Sequence, residues 1–491
     1  MSQSQVVIGV DSSTQSTKAA FTDAATGRLL AVGRAPHRVT GEGGARETDP
    51  EVWWTALRDA VGAGLKESGV EPSAVIGIAV AGQQHGLVVL DGAGRPLRPA
   101  LLWNDTRSAP QAAALTETLG GPDAWTARTG SVPVASMTAS KWQWLRENDP
   151  AVADATAAIR LPHDFLTERL AGTPATDPGD ASGTCWYSTA TGEYDAELLA
   201  LLGLDTDLLP PVATTGAARI GSLTAAAAAE LGLPAGIAVA AGTGDNMSAA
   251  VGLGFGGAGL LDHPVLSLGT SGTVFAATRT RPGSAALAGF AAADGTYLPL
   301  ACTLNCTLAV DKVAALLRLD REDATPGGEA VLLPYLDGER TPDLPASSGL
   351  LTGIRHDTTP QQLLGAAYEG AAVTVLRALD EVMRACGLDP AAPEVAGRPL
   401  RLVGGGAQGR MWVETVRRLS GRPLIVPASG ELVALGAAAL AAGAATGEDP
   451  VTVATSWETG AGPELPPVER DTETWERVGS VLDRAAPSLL S

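Results

Sequence analysis

The residues best suited to chemistry lie near the middle of the chain, in Ala240-Ala241-Gly242-Thr243-Gly244-Asp245-Asn246. The apolar run from Ile237 to Ala241 reads as a buried strand, Gly-Thr-Gly as its turn, and Met247 to Val251 as the start of a helix. Asp245 is therefore predicted at the carboxyl end of a strand, where open α/β sheets bind ligands. Hydroxyl-bearing turns flank it in sequence: Asp11-Ser12-Ser13-Thr14-Gln15-Ser16-Thr17-Lys18 on one side and Gly269-Thr270-Ser271-Gly272 on the other. One carboxylate between two turns able to surround phosphate oxygens is the layout of a phosphotransferase whose cleft lies between two domains.

Further groups surround this plan. In the first turn, backbone amides and the hydroxyls of residues such as Thr14 and Ser16 suit phosphate, and Asp11 suits Mg²⁺. The same turn reads equally well as a serine-rich hairpin. A buried strand, Val75 to Val80, leads into Ala81-Gly82-Gln83-Gln84-His85-Gly86, whose amides and imidazole fit a polyhydroxylated ligand. Trp103, in Leu101-Leu102-Trp103-Asn104-Asp105-Thr106-Arg107, reads either as a plane for stacking a sugar or as a packing residue. A strand into Gly404-Gly405-Gly406-Ala407 lets a nucleotide approach the backbone closely. Leu161 to Leu166 and Asp177 to Thr184 stand out as polar clusters; Asp180 reads as a capping or turn residue, the alternative being an approach to the cleft. Leu332 to Pro342 reads as a loop tied down by ion pairs.

The elements that must position these groups are strands and hairpins of similar form. Val6–Val10 and Ala19–Phe21 make one hairpin around the Asp11 turn, and Val265–Leu268 with Thr273–Phe275 make another. This is a weak internal repeat at domain scale. Asp49 and Pro50 begin a helix as N-cap and first residue, with Trp53 and Trp54 as packing residues. Gln361 to Leu379 reads as an amphipathic helix. The 491 residues hold 34 basic and 54 acidic side chains, a net charge of −20. Such a field repels nucleic acid and anionic membrane, so neither is an expected partner. Four scattered cysteines make no disulfide framework, and no apolar stretch is long enough to span a bilayer. A soluble, cytoplasmic protein is expected. The alanine-rich runs, Ala437 to Ala445 among them, read as compositional bias rather than as a functional feature.

Seven segments in this order resemble the FGGY carbohydrate kinases, members of the actin-like ATPase superfamily. They are Glu-x-Asp-Pro-x-x-Trp-Trp at 47–54, Ala-Gly-Gln-Gln-His-Gly at 81–86, Leu-Leu-Trp-Asn-Asp-x-Arg at 101–107, Gly-Asp-Asn at 244–246, Leu-Ser-Leu-Gly-Thr-Ser-Gly at 266–272, Leu-Pro-Tyr-Leu-x-Gly-Glu-Arg-Thr-Pro at 333–342 and Gly-Gly-Gly-Ala at 404–407. The resemblance implies an α/β fold of two ribonuclease H-like (actin-like ATPase) domains flanking a central cleft. It implies a sugar-binding domain over 1–246, an ATP-binding domain over 247–447 and a peripheral tail over 448–491. By the same resemblance Asp245 is the general base, and Asn246, Gln84 and His85 contact the sugar, with Trp103 beside it. Asp11 holds Mg²⁺. Thr14, Ser16, Gly269 and Thr270 hold the phosphates of ATP, and Gly405, Gly406 and Ala407 lie near the adenosine. Family members are often homodimers. Where the family's glycerol kinases have Gln-Arg-Glu, this chain has Gln83-Gln84-His85, and the histidine is the one carried by its xylulose-phosphorylating members. The implied acceptor is D-xylulose, the alternatives being ribulose, gluconate or glycerol, or a sugar-responsive protein without catalysis. The chain departs from the family pattern at Ser13, where a glycine is usual, and at Gln84, where many of those members have methionine.

Overall fold

The computed structural model describes residues 5–254, 264–344 and 346–489. By its contacts the chain divides into two compact units: Met1–Ala258 with Arg281–Leu298 and Glu431–Gly460, and Gly259–Thr280 with Pro299–Gly430 and Ala461–Ser491. Both return to the chain more than once, so the linear boundaries read from the sequence do not coincide with this partition.

The first unit is built on a twisted sheet in the order Leu29–Pro36, Ser16–Asp23, Val6–Ser12, Val75–Gly82, Ala238–Ala240, Arg219–Ser222. Val6–Ser12 is antiparallel to Ser16–Asp23, which is antiparallel to Leu29–Pro36. On its other side Val6–Ser12 runs parallel to Val75–Gly82, and Ala238–Ala240 parallel to that. Because every residue of Val6–Ser12 is buried, the strand shows no polar alternation, as expected of a central strand covered on both faces.

One face is covered by the helix Pro50–Ser68, capped by Asp49, whose side chain accepts from Glu51 N at 3.0 Å. Trp53 and Trp54 are core residues of this face. The other face is covered by the helix Leu432–Thr446. A Cβ at Gly9 would lie 1.9 Å from Ala434 O, and one at Gly77 2.7 Å from Ala441 O, so the helix backbone rests directly on two glycines. The alanine run read as compositional bias is thus a packing device: small side chains let helix and strand approach to backbone contact.

The sheet of the second unit repeats the plan. Val265–Leu268 is antiparallel to Gly272–Phe275, which is antiparallel to Tyr297–Thr303. Val265–Leu268 is parallel to Leu400–Val403, and that strand to Leu424–Ile425. The two sheets share a five-stranded core, an antiparallel trio whose end strand runs parallel to a fourth and that to a fifth, and differ in their outer strands; the shared core turns the weak repeat of the sequence into a structural one. The 26-residue helix Pro360–Ala385, opened by a Thr359–Gln362 capping box, packs on the second sheet. Among the described residues the loop Leu332–Pro342 is held by hydrogen bonds rather than the expected ion pairs. Buried Glu339 accepts from the backbone N–H groups of Leu304, Asn305 and Arg340, and Asn305 Nδ2 donates to Gly338 O at 2.7 Å. The segment read as a peripheral tail contains the helices Pro450–Ser456 and Thr472–Leu489. Among the described residues no helix is long and apolar enough to cross a membrane.

Candidate active site

Three neighbouring strand ends bring the expected residues of the first unit together. Val6–Ser12 ends beyond Asp11, and Val75–Gly82 leads into Gln83–His85. Thr243–Gly244, parallel to Ala81–Gly82, delivers Asp245 as the first residue of the helix Asp245–Gly252. All are carboxyl ends of parallel strands, the edge at which such sheets bind ligands.

Asp245 is only partly exposed. Its Oδ1 accepts from Asn246 N at 2.8 Å and Asn246 Nδ2 at 3.2 Å, and the same Nδ2 donates to Gln84 Oε1 at 2.8 Å. Asn246 thereby fixes the carboxylate and the Gln84 amide as one unit. Gln84 Nε2 is buried without a protein acceptor, a donor left for a ligand. Burial pushes the Asp245 carboxyl up to about 7, and the like charges of Asp11 and Asp180 push the same way.

Asp11 faces Lys18 across the hairpin, as their register requires. Lys18 Nζ lies 3.4 Å from Asp11 Oδ2 and 3.0 Å from Glu431 Oε2, and Arg34 also pairs with Glu431. Burial raises the Asp11 pKa while Lys18 pulls against it. In the turn, Ser13 donates from both its N–H and its hydroxyl to Ser16 O, each at 3.0 Å. Ser13 is not at positive φ, so it takes the usual glycine's place without left-handed strain. Trp103 Nε1 donates to Thr14 Oγ1 at 3.0 Å, with the indole 39% exposed. Its edge is therefore tied to the hydroxyl turn, while part of its surface stays open.

His85 has φ 66°, a left-handed conformation uncommon outside glycine and frequent at ligand sites. Its Nδ1 is 3.1 Å from Gly183 O, and Thr138 Oγ1 donates to its carbonyl at 3.3 Å. A carbonyl only accepts, so Nδ1 carries the proton and, in the neutral ring, Nε2 bears the lone pair. The ring packs 5.5 Å from that of Phe290.

Behind these strand ends lies a buried group that the sequence shows only as two polar clusters, without their pairing. Asp177, not Asp180, caps the short helix Pro178–Ala181. Asp180 is fully buried and turned toward His163, its Oδ2 2.8 Å from Nδ1. Capping could be guessed from Asp-Pro-Gly-Asp, but pairing with a histidine 17 residues away could not.

In the second unit, two glycine turns follow the adjacent parallel strands Val265–Leu268 and Leu400–Val403. Gly269 O accepts from Thr307 N at 3.1 Å and Thr307 Oγ1 at 2.7 Å, and Thr270 is exposed. Gly404 has φ 86° and leads into the turn Gly405–Gln408. A Cβ at Gly406 would lie 2.7 Å from that of Leu268, whereas one at Gly405 would meet nothing within 4 Å. Gly406 thus lets the two turns touch, and Gly405 leaves open backbone. Ala407 is buried behind them. Next to this turn opens a cavity of about 750 Å³, lined by Asp311, Ala315, Leu319, Glu322, Gln408 and Arg410 among others.

The sequence matches the N-terminal domain of the FGGY family of carbohydrate kinases over residues 6–252 and its C-terminal domain over 265–445. It is 57% identical to the xylulose kinase of Streptomyces rubiginosus over 486 residues, covering 99% of this chain and 97% of that one. The identity to the xylulose kinase of Streptomyces coelicolor is 56%, covering 99% and 97%. The crystal structure of xylulose kinase from Bifidobacterium adolescentis superimposes with a TM-score of 0.82 at 34% identity, over 97% of this chain and 99% of that one. With two domains matched in register, and a strand plan repeated in each unit, the chain belongs to the FGGY family of carbohydrate kinases.

Proposed function

We propose that this kinase transfers the γ-phosphoryl group of ATP to the 5-hydroxyl of D-xylulose, with Asp245 as the general base. The carrying observation is the Asp245–Asn246–Gln84 chain beside His85, which pairs a carboxylate titrating near 7 with fixed polar groups suited to a polyol. A base whose pKa lies near working pH is deprotonated often enough, yet still basic enough, to take a hydroxyl proton, a contribution of about 10²–10⁴-fold. The identity to xylulose kinases supports the choice of sugar.

In this reading Gln84 Nε2 donates to a sugar oxygen and His85 Nε2 accepts from a sugar hydroxyl. Thr14, Ser16, Gly269 and Thr270 contact phosphates, and the cavity beside Gly405–Ala407 receives the adenosine. Among the described residues no three His, Cys, Asp or Glu side chains are arranged to hold a metal ion, and Asp11 offers one buried carboxylate. That donor set fits Mg²⁺ that arrives on nucleotide phosphates and keeps water ligands, rather than a cage built by the protein. Such an ion would neutralise phosphate charge as the loose transition state forms. Asp245 orients the attacking oxygen and takes its proton as the P–O bond forms.

The test is ADP release from ATP across D-xylulose, D-ribulose, L-ribulose, gluconate, glycerol and no sugar. D-Xylulose is expected to give the highest kcat/KM. A higher value for any other acceptor overturns the substrate, and turnover indifferent to every sugar overturns the reading.

A further inference from the structure

Four ionisable side chains, each at most 1% exposed, lie together: His163, Asp164, Asp177 and Asp180. His163 Nδ1 is 2.8 Å from Asp180 Oδ2, and Nε2 is 3.1 Å from Asp164 Oδ1 and 3.8 Å from Asp177 Oδ1. Three carboxylates around one buried imidazole is a costly arrangement to keep for packing alone. Its neighbours give it a use. A Cβ at Gly82 would lie 2.8 Å from His163 N, and one at Gly242 3.2 Å from His163 Cδ2. His163 therefore supports the roots of two turns, the one carrying Gln84 and His85 and the one carrying Asp245.

Asp177 reaches the second turn directly. Its Oδ2 accepts from Thr243 Oγ1 at 2.7 Å, two residues before Asp245, while its carboxylate also caps Gly179 and Asp180 at 3.0 Å each. Fully buried Asp180 has its Oδ1 without a hydrogen bond from the protein. Its helix, Pro178–Ala181, packs against the strand Thr243–Gly244 that runs into Asp245, and its charge raises the Asp245 pKa.

We propose that His163, Asp177 and Asp180 position the catalytic carboxylate: Asp177 holds its strand in place through Thr243, and Asp180 sets a buried negative charge on the helix packed against that strand. The proposal rests on Asp245 being the base. The charged groups facing Asp245 are Asp11, from Val6–Ser12, and Asp180, from Pro178–Ala181; Lys18 offsets Asp11, and His163 offsets Asp180. Burial opposes a charge on His163, but Asp164, Asp180 and Asp177 outweigh it and keep the ring an imidazolium at neutral pH.

The sign of the effect is fixed by charge. Asp180 raises the pKa of Asp245, and the base works only when deprotonated, so activity falls as pH drops through that pKa. Removing the Asp180 charge lowers it and extends activity to lower pH. The acidic limb of kcat/KM for D-xylulose is expected near pH 7 in the wild type. In Asp180→Asn it is expected roughly 0.5–1 pH unit lower. Thr243→Val, which removes the bond to Asp177 and no charge, is expected to lower kcat about 10-fold or more with the limb unmoved. Thr243→Ser is expected to restore it. A mere loss of packing would lower kcat in Asp180→Asn without moving the limb. An unmoved limb in folded Asp180→Asn, or wild-type kcat in Thr243→Val, overturns the proposal. Asp245→Asn separates the two readings: wild-type turnover there removes the base itself, whereas an inactive Asp245→Asn beside indifferent Asp180 and Thr243 variants removes only the positioning.

Discussion

At the scale of single residues, protein partners fix one side of each candidate group. Asn246 occupies one oxygen of Asp245 and the carbonyl of Gln84, and Gly183 occupies Nδ1 of His85. Gly183 is the sharpest of these constraints. A Cβ there would lie 2.3 Å from His85 Nδ1, yet its backbone is not at positive φ, so alanine would be tolerated by everything except the imidazole. Gly183→Ala is expected to raise the KM for D-xylulose by at least ~10-fold, the cost of misplacing one polar partner, with the KM for ATP unchanged. Steady-state kinetics with each substrate varied in turn checks this, and equal losses for both substrates would contradict it. Asp245 was legible in the sequence because Gly-Thr-Gly-Asp follows a short apolar run. Lys18 could be paired with Asp11 only once the hairpin register was known. The pairing of His163 with Asp180 and of Phe290 with His85 could not be read, because each depends on contact with another segment of the chain.

At the scale of elements, the recurring device is a carboxyl end of a parallel strand feeding a glycine turn. Alternation and apolar runs reveal such strands, so both hairpins and the long helix Pro360–Ala385 were readable. Leu432–Thr446 was not, because an alanine–glycine helix has little periodic contrast, and its meaning depends on the glycines it meets. Gly9→Ala tests that meaning. Its Cβ would need 1.9 Å from Ala434 O, so helix and strand must separate. Overpacking of this kind typically costs about 1–3 kcal/mol, and more where backbone must move. Urea unfolding followed by circular dichroism is expected to show a lowered midpoint, and an unchanged midpoint would refute the close contact.

At the scale of the molecule, the family's N-terminal domain, matched over 6–252, is not a complete packing unit. The helix covering one face of its sheet comes from Glu431–Gly460, which also supplies Glu431 to Lys18 and Thr459 to Gly252 O. A chain limited to residues 1–252 is expected to be insoluble or molten, with no cooperative thermal transition. The same chain joined to 431–460 is expected to regain one. Calorimetry of the two distinguishes the outcomes, and a sharp transition in the shorter chain would show that the returning helix is dispensable. Such non-contiguity could not be read from the sequence, where domain boundaries appear as single cuts.

The returning helix also sets a schedule for synthesis. Trp457 Nε1 reaches Ala24 O across 433 residues of chain. At ~5–20 residues per second, a ribosome needs roughly 20–90 s to span that distance. Through that interval the nascent sheet carries Gly9 and Gly77 uncovered, awaiting a partner not yet made. The half of the enzyme translated first is therefore the half that cannot finish folding first.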